Sequence, residues 1–331
     1  MIFTGDRSTD RSPVNRIKED PMSRRLKNSK GWKRVLRDNW QLYVLVLPAV
    51  IYFVTFEIVP LYGLQIAFKD FRLTKGIVDS PWADPLWKHF KRFVEGHYFE
   101  EVILNTIRLS IYSLILSVPL PVGFALMLNY CRNRRFVKIV QTVSYAPHFI
   151  STVVVVSMLN LFLNPDNGVI TNLVMNLGGK RTNLMSSPDA FPHLYTWSGI
   201  WQSLGWSAII YIGALTGVSP ELHEAAILDG ATIMQRIRYV DLPGIKNTII
   251  MLLIMKTGQV LGVGFEKVHL MQNALNSSTA EVVATYVYDM GMQKGQYSFA
   301  TAVGLFNSVI SFALVIIVNA ISKKYSDNSL Y

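Results

Sequence analysis

Apolar residues run through this chain in long unbroken stretches, without the alternation of a half-buried strand. A bilayer core takes about 20 residues of helix, and six stretches are long enough. They cover about 40–68, 103–130, 139–163, 190–218, 245–263 and 299–321. Glu57 is the one charge in the first, and Lys256 interrupts the fifth. The pattern predicts an all-α membrane protein with six transmembrane helices. A polar tail over 1–39 precedes a six-span domain over 40–331. The polar stretch 219–243, between spans four and five, has helical signals of its own. Ser219 reads as a cap, Pro220 as the first helical residue and Glu221 as an acid in the first turn. A helix over Leu222–Asp229 follows, then a sharp turn at Gly230, where a side chain would hinder. A second helix runs from Ala231 to about Tyr239, and Pro243 marks the start of span five. Pro48, Pro60, Pro119, Pro121 and Pro147 fall inside or beside spans, where neighbouring helices can satisfy the carbonyls they free. Most of them read as kinks in a packed bundle.

Composition agrees with a membrane protein. Half of the residues are hydrophobic and 16% are charged, against about 25% charged in soluble domains. The net charge of +10 does not imply nucleic acid, because the excess sits in the amino-terminal tail and short loops. The tail holds 11 Lys/Arg against 5 Asp/Glu, and the 131–138 loop holds four basic residues and no acid. Positive charge marks the cytoplasmic face. Two spans separate the tail from that loop, so both assignments agree. The 69–101 loop, with six residues of each sign, is then external. Both termini and the 219–244 loop are cytoplasmic. The tail serves as an orientation signal resting on anionic lipid. The first stretch is too long, and too far from the start, for a cleaved signal peptide. Cys131 is the one cysteine, so no intrachain disulfide forms.

The 219–243 loop carries the most specific motif: Glu224-Ala225-Ala226-Ile-Leu-Asp229-Gly230-Ala231, followed by Leu242-Pro243. It resembles the EAA loop of permease subunits in binding-protein-dependent ABC importers. Ile237, Val240 and Asn247 depart from the usual pattern at packing positions. Phe68-Lys-Asp-Phe71, Ser80-Pro-Trp82, Asn105-Thr106, Trp201-Gln-Ser-Leu-Gly-Trp206, Thr285-Tyr-Val-Tyr288 and Gly295-Gln-Tyr-Ser-Phe-Ala are similar to the polysaccharide-type carbohydrate permeases. The resemblance covers about residue 35 to the end.

That resemblance implies a type I ABC importer permease-like fold in a bacterial cytoplasmic membrane. It implies a second homologous permease, two ATP-binding subunits (a homo- or heterodimer) and an extracytoplasmic solute-binding protein. The cargo is an oligo- or polysaccharide, with acidic glycans such as alginate or pectin fragments among the candidates. The chain itself binds no cofactor, and ATP and Mg belong to the partner ATPase. Glu224, Ala225, Ala226, Asp229, Gly230, Ala231, Leu242 and Pro243 are the ATPase-coupling residues it implies. The alanines allow close approach, and Glu224 can pair with a partner arginine. Read without the resemblance, the loop is an amphipathic helix lying on the membrane.

The remaining signals narrow the chemistry. His223-Glu224 begins like a zinc-protease motif, but Ile227 stands where the second histidine belongs. Gly178-Gly-Lys-Arg-Thr182 lacks phosphate-loop spacing. For a substrate path the candidates are Trp201 and Gln202 in span four, with Lys256 and Gln259 in span five. Aromatics stack on sugar rings, and a cation suits an acidic glycan. Against that, span-four aromatics such as Trp197 also suit an interfacial belt. Ionisable residues within spans face a cavity or partner, or snorkel to a membrane face. The rival functions are a permease for another small solute and a membrane-embedded glycan-processing enzyme, for which the spans hold too few ionisable groups.

Overall fold

The computed structural model describes residues 39–258, 262 and 264–325. The amino-terminal tail through 38, Gln259 and the last six residues lie outside the described residues. Among the described residues regular structure is helical, with two isolated bridges, Lys69–Trp82 and Arg72–Gly76, and no strand. The all-α expectation holds.

The chain divides into two units, up to Gly63 and from Leu64 onward. In the first, α1 (Trp40–Phe53) buries none of its side chains. A helix apolar on every side suits lipid. It passes into a π-helical turn at Val54–Ile58. Pro60, just beyond, cannot donate to Phe56 in that turn.

In the second unit α2 (Phe99–Ser117) and α3 (Pro119–Tyr130) meet at Val118. Pro119 and Pro121 each withdraw an N–H there. Beyond them come α4 (Arg134–Tyr145), α5 (Thr152–Phe162), α6 (Phe191–Thr216), α7 (Pro220–Leu228), α8 (Ile233–Arg236), α9 (Leu242–Thr257), α10 (Phe265–Met271), α11 (Val283–Tyr288) and α12 (Tyr297–Tyr325). Three continuous helical runs are long and apolar enough to cross a bilayer: Trp40–Phe68, Phe99–Tyr130 and Tyr297–Ile321. The expected third span, 139–163, is not one straight helix. Its two arms, Arg134–Phe149 and Thr152–Phe162, are bent by 99°. Pro147 cannot continue the hydrogen-bond ladder, Ile150 is extended, and the Ser151 side chain accepts from Val154 N to start a new helix. For the fourth, α6 has 26 residues, ample length at about 1.5 Å per residue. For the fifth, α9 reaches 16 residues before the undescribed segment begins.

Three hydrophobic clusters order the second unit. Beside the 219–243 loop, Ala125 of α3, Ala208 and Tyr211 of α6 and Ile245 of α9 are almost fully buried, and Val218, Ile237 and Leu242 pack on them. In a second cluster Leu109 of α2, Val156 of α5 and Phe191 of α6 meet Val268 and Met271 of α10. The third joins Phe93 and Val102 to Val283, Tyr286, Phe299 and Val303.

The family-like motifs of the sequence act as fasteners. Buried Asn105 donates its amide to the carbonyls of Ser278 (2.9 Å) and Glu281 (3.2 Å). Thr106 Oγ1 accepts from Val283 N at 2.9 Å. Together they tie the short helices after α10 to α2. In the 69–98 loop, buried Lys69 donates to the carbonyls of Ile77 and Val78 and lies over the Trp82 ring. Phe71 N donates to Ser298 Oγ at 2.9 Å. Asp70 takes both a salt bridge and a hydrogen bond from Lys88, which hold its carboxyl below the ordinary carboxylate range.

Candidate functional site

Two regions carry functional potential. The first is the 219–243 loop, whose turn follows directly from its sequence. Ser219 caps α7, accepting from Glu221 N, and Pro220 opens the helix. At the other end Ala231 N donates to Ala226 O (2.9 Å) and Gly230 N to Ile227 O (3.0 Å). This is the paired closure in which the residue after the cap must be left-handed. Gly230 has φ +76°. A Cβ there would touch nothing within 4 Å, so backbone conformation alone selects glycine. Thr232 then caps α8 in a box with Gln235: Gln235 N donates to Thr232 Oγ1, and Thr232 N donates to Gln235 Oε1 at 2.7 Å. A π-turn at Ile237–Asp241 leads into α9 with Pro243 in its first turn. The expected second helix, to about Tyr239, is thus one turn of α-helix and a π-turn.

The coupling candidates divide by exposure. Glu224, Ala225, Asp229, Gly230 and Pro243 are exposed, whereas Ala226, Ala231 and Leu242 are half-buried. Leu242 packs on the cluster below the loop. Sequence pattern missed the apolar residues that flank Glu224. Leu228 is 88% exposed, and Leu222, Ile227 and Met234 are more than half exposed. Read in sequence they look like core residues of a short amphipathic helix. Ile227 and Leu228, three and four residues beyond Glu224, share its face of α7 and give that carboxylate exposed apolar neighbours.

The second region is a cavity of about 390 Å³ between α2, α6, α9 and α10. Its volume falls among those of small-ligand pockets. Gln202 and Lys256 both line it, with Lys267 and the hydroxyl residues Ser113, Ser117 and Ser203. Trp201, one residue and about 100° around the helix from Gln202, does not. It lines a separate apolar pocket with Trp197, Phe162 and Met158. Gln259 lies outside the described residues.

Each polar group in the cavity has a local partner. Gln202 Nε2 donates to Ile150 O at 2.7 Å, the carbonyl at the bend between α4 and α5. Lys256 Nζ donates to Ser117 O at 2.8 Å. Pro121 is the residue whose N–H would otherwise fill that acceptor. Lys267 is 9% exposed, donates to Tyr195 O at 2.9 Å and stands 5.0 Å from the Tyr195 ring centroid. Gly199 gives it room: a Cβ there would lie 3.2 Å from the ammonium. Among the described residues, neither lysine has a carboxylate within ion-pair distance. An ammonium has three donors, and each lysine gives one to a backbone carbonyl. Both amines thus line one polar cavity with no carboxylate partner among the described residues. No group of three or more His, Cys, Asp or Glu among the described residues could hold a metal.

Comparison with known proteins bears on the family. The family described as "Binding-protein-dependent transport system inner membrane component" matches residues 105–327. Over 290 residues the chain is 41% identical to the polygalacturonan/rhamnogalacturonan transport system permease protein YteP of Bacillus subtilis (strain 168), covering 88% of this chain and 90% of that one. Protein LplB of the same strain is 40% identical over 302 residues, 91% of this chain and 94% of that one. A solved structure of a bacterial ABC transporter involved in the import of the acidic polysaccharide alginate contains a similar chain. It superposes with a TM-score of 0.81 at 36% identity, covering 88% of this chain and 98% of that one.

Proposed function

We propose a cargo and a division of labour from one premise: the chain belongs to the binding-protein-dependent transport system inner membrane components. It is the membrane-embedded permease subunit of a carbohydrate ABC importer, not an enzyme. The proposed cargo is an acidic oligosaccharide, bearing uronate carboxylates. The observation that carries this reading is the pair Lys256 and Lys267 on one hydroxyl-lined cavity, neither of them ion-paired among the described residues. The relatives point the same way. One is a polygalacturonan/rhamnogalacturonan permease, and another belongs to an alginate transporter solved with a periplasmic protein holding an alginate pentasaccharide.

In this reading a second, homologous permease completes the pathway, and two ATP-binding subunits supply the work, with ATP and Mg held there. The 219–243 loop is the cytoplasmic coupling device. Its apolar surface around Glu224 seats on an ATPase subunit, with Glu224 meeting a cation of the partner. A binding protein delivers the glycan from outside. Closure of the ATPases on ATP moves the loop, and the spans reorient. Each ligand shifts that equilibrium only by its differential affinity for the two states. In the cavity the hydroxyls and Gln202 meet the sugar, and the two ammonium groups meet the carboxylates.

The test is uptake by the complete importer, reconstituted with its ATPase subunits and binding protein in ATP-loaded vesicles. Trigalacturonate enters at least tenfold faster than a neutral trisaccharide. Equal rates for the two would remove the acidic cargo from the reading.

A further inference from the structure

Beneath the exposed face of α7 lies a carboxylate that the coupling reading leaves unused. Asp241, in the π-turn before α9, is 0% exposed. One oxygen, Oδ2, accepts a 2.6 Å hydrogen bond from Tyr130 Oη, at the last residue of α3. The other, Oδ1, has no hydrogen-bond partner. It faces His223 Nε2 of α7 at 3.3 Å, one residue before Glu224. One buried side chain therefore touches three elements: the coupling helix, the end of α3 and the start of α9. Nearby, the Arg236 guanidinium lies 5.3 Å from the Tyr130 ring centroid, over its face. Glu221 and Glu224 on α7, Arg238 on the π-turn and Lys246 on α9 are exposed. His223 is the one cation-forming group in ion-pair contact with Asp241 among the described residues.

A fully buried carboxylate with one oxygen unbonded is costly unless a charge faces it. Protonated His223 supplies that charge, and neutral His223 does not. We infer that Asp241 is the positioning residue of the coupling loop, and that the His223–Asp241 pair is a proton-dependent clamp. The clamp holds α7 to the ends of α3 and α9, so that a push received at Glu224 and Leu228 reaches both helices as one rigid movement. The inference rests on the coupling role proposed above for the loop. With His223 charged the push is transmitted. With His223 neutral, α7 slips against its base and ATP is hydrolysed with less transport. Low cytoplasmic pH therefore tightens coupling, and high pH loosens it.

The experiment measures molecules transported per ATP hydrolysed, in the complete importer with its ATPase subunits and binding protein. The compartment facing the loop is set to about pH 6 and about pH 8.5, which bracket ordinary histidine titration. The wild-type ratio falls at least threefold from the lower to the higher pH. His223→Gln is low and flat. His223→Lys, with a cation at both values, is high and flat. Asp241→Asn keeps an acceptor for Tyr130, loses the charge and is also low and flat. If Asp241→Asn fails to assemble, the comparison of His223→Gln with His223→Lys decides alone. A His223→Gln profile identical to wild type would overturn the clamp. If wild-type chain holds no ATPase subunit, the coupling reading falls and the clamp with it.

Discussion

Lys256 and Pro121 are linked through one acceptor: the Lys256 ammonium donates at 2.8 Å to Ser117 O, the carbonyl whose helical donor Pro121 cannot supply. The same lysine lines the cavity, so the break in α2–α3 and the placing of this amine on the cavity wall are one feature. Restoring the missing N–H should uncouple the two. Pro121→Ala lets the helix fill Ser117 O itself, and Lys256→Gln then costs less stability. A double-mutant cycle on thermal unfolding should give a coupling of about 1–2 kcal/mol, part of the about 1.5–3 kcal/mol of a charged hydrogen bond. Additive effects would mean that Lys256 does not serve the break.

Gly230 is held by conformation and not by crowding, since its φ is +76° and the space beyond it is open. Gly230→Ala should cost about 1–2 kcal/mol from left-handed strain. Gly230→Trp should still insert and still assemble, with the loop misdirected and transport lost while ATP hydrolysis persists. Wild-type transport by a well-expressed tryptophan variant would remove the turn from the coupling mechanism.

The surface around Glu224 gives two separable outcomes. Leu228→Asp, at a residue 88% exposed, leaves the permease folded and sharply lowers copurification of the ATPase subunit. Glu224→Arg lowers it as well, by opposing the partner cation. An unchanged yield of complex from either variant would take that residue out of the interface.

Orientation is tested by single cysteines in a background with Cys131 replaced. Positions 85 and 170 should react with an impermeant reagent from outside. Positions 133 and 235 should react only after permeabilisation. Labelling at 235 in intact cells would invert the topology.

Much of this molecule is legible in its sequence, because lipid imposes long apolar runs and turns have strict residue demands. Ser219, Pro220, Gly230 and the start of α9 at Leu242-Pro243 stand where local chemistry puts them. The bend in the third span was not legible as such. Pro147 signals a kink, but 99° depends on Ile150 turning extended and on the Gln202 amide taking its carbonyl. Trp201 and Gln202, both candidates for the substrate path, line different cavities, because successive residues stand about 100° apart around a helix. Nothing local to Glu266-Lys267 marks the lysine as buried. Only the packing of α10 against α6, with Gly199 opposite, buries its amine. Asp241 was hidden for a related reason: its partners Tyr130 and His223 are distant in sequence, and nothing local marks them as meeting.

The most direct measurement is the ratio of acidic to neutral uptake when the two cavity cations are removed. Trigalacturonate and its methyl ester, which differ in charge on the same sugar frame, are compared in the reconstituted importer. An ammonium–carboxylate contact worth about 1.5–3 kcal/mol corresponds to about tenfold or more. The Lys256→Gln, Lys267→Gln double variant should lower the acid-to-ester ratio at least tenfold. Trp201→Ala, altered in the separate apolar pocket, should leave that ratio unchanged. A double variant that slows both substrates equally, with its ratio intact, would contradict the reading: the two lysines would then hold the helices together without meeting the cargo.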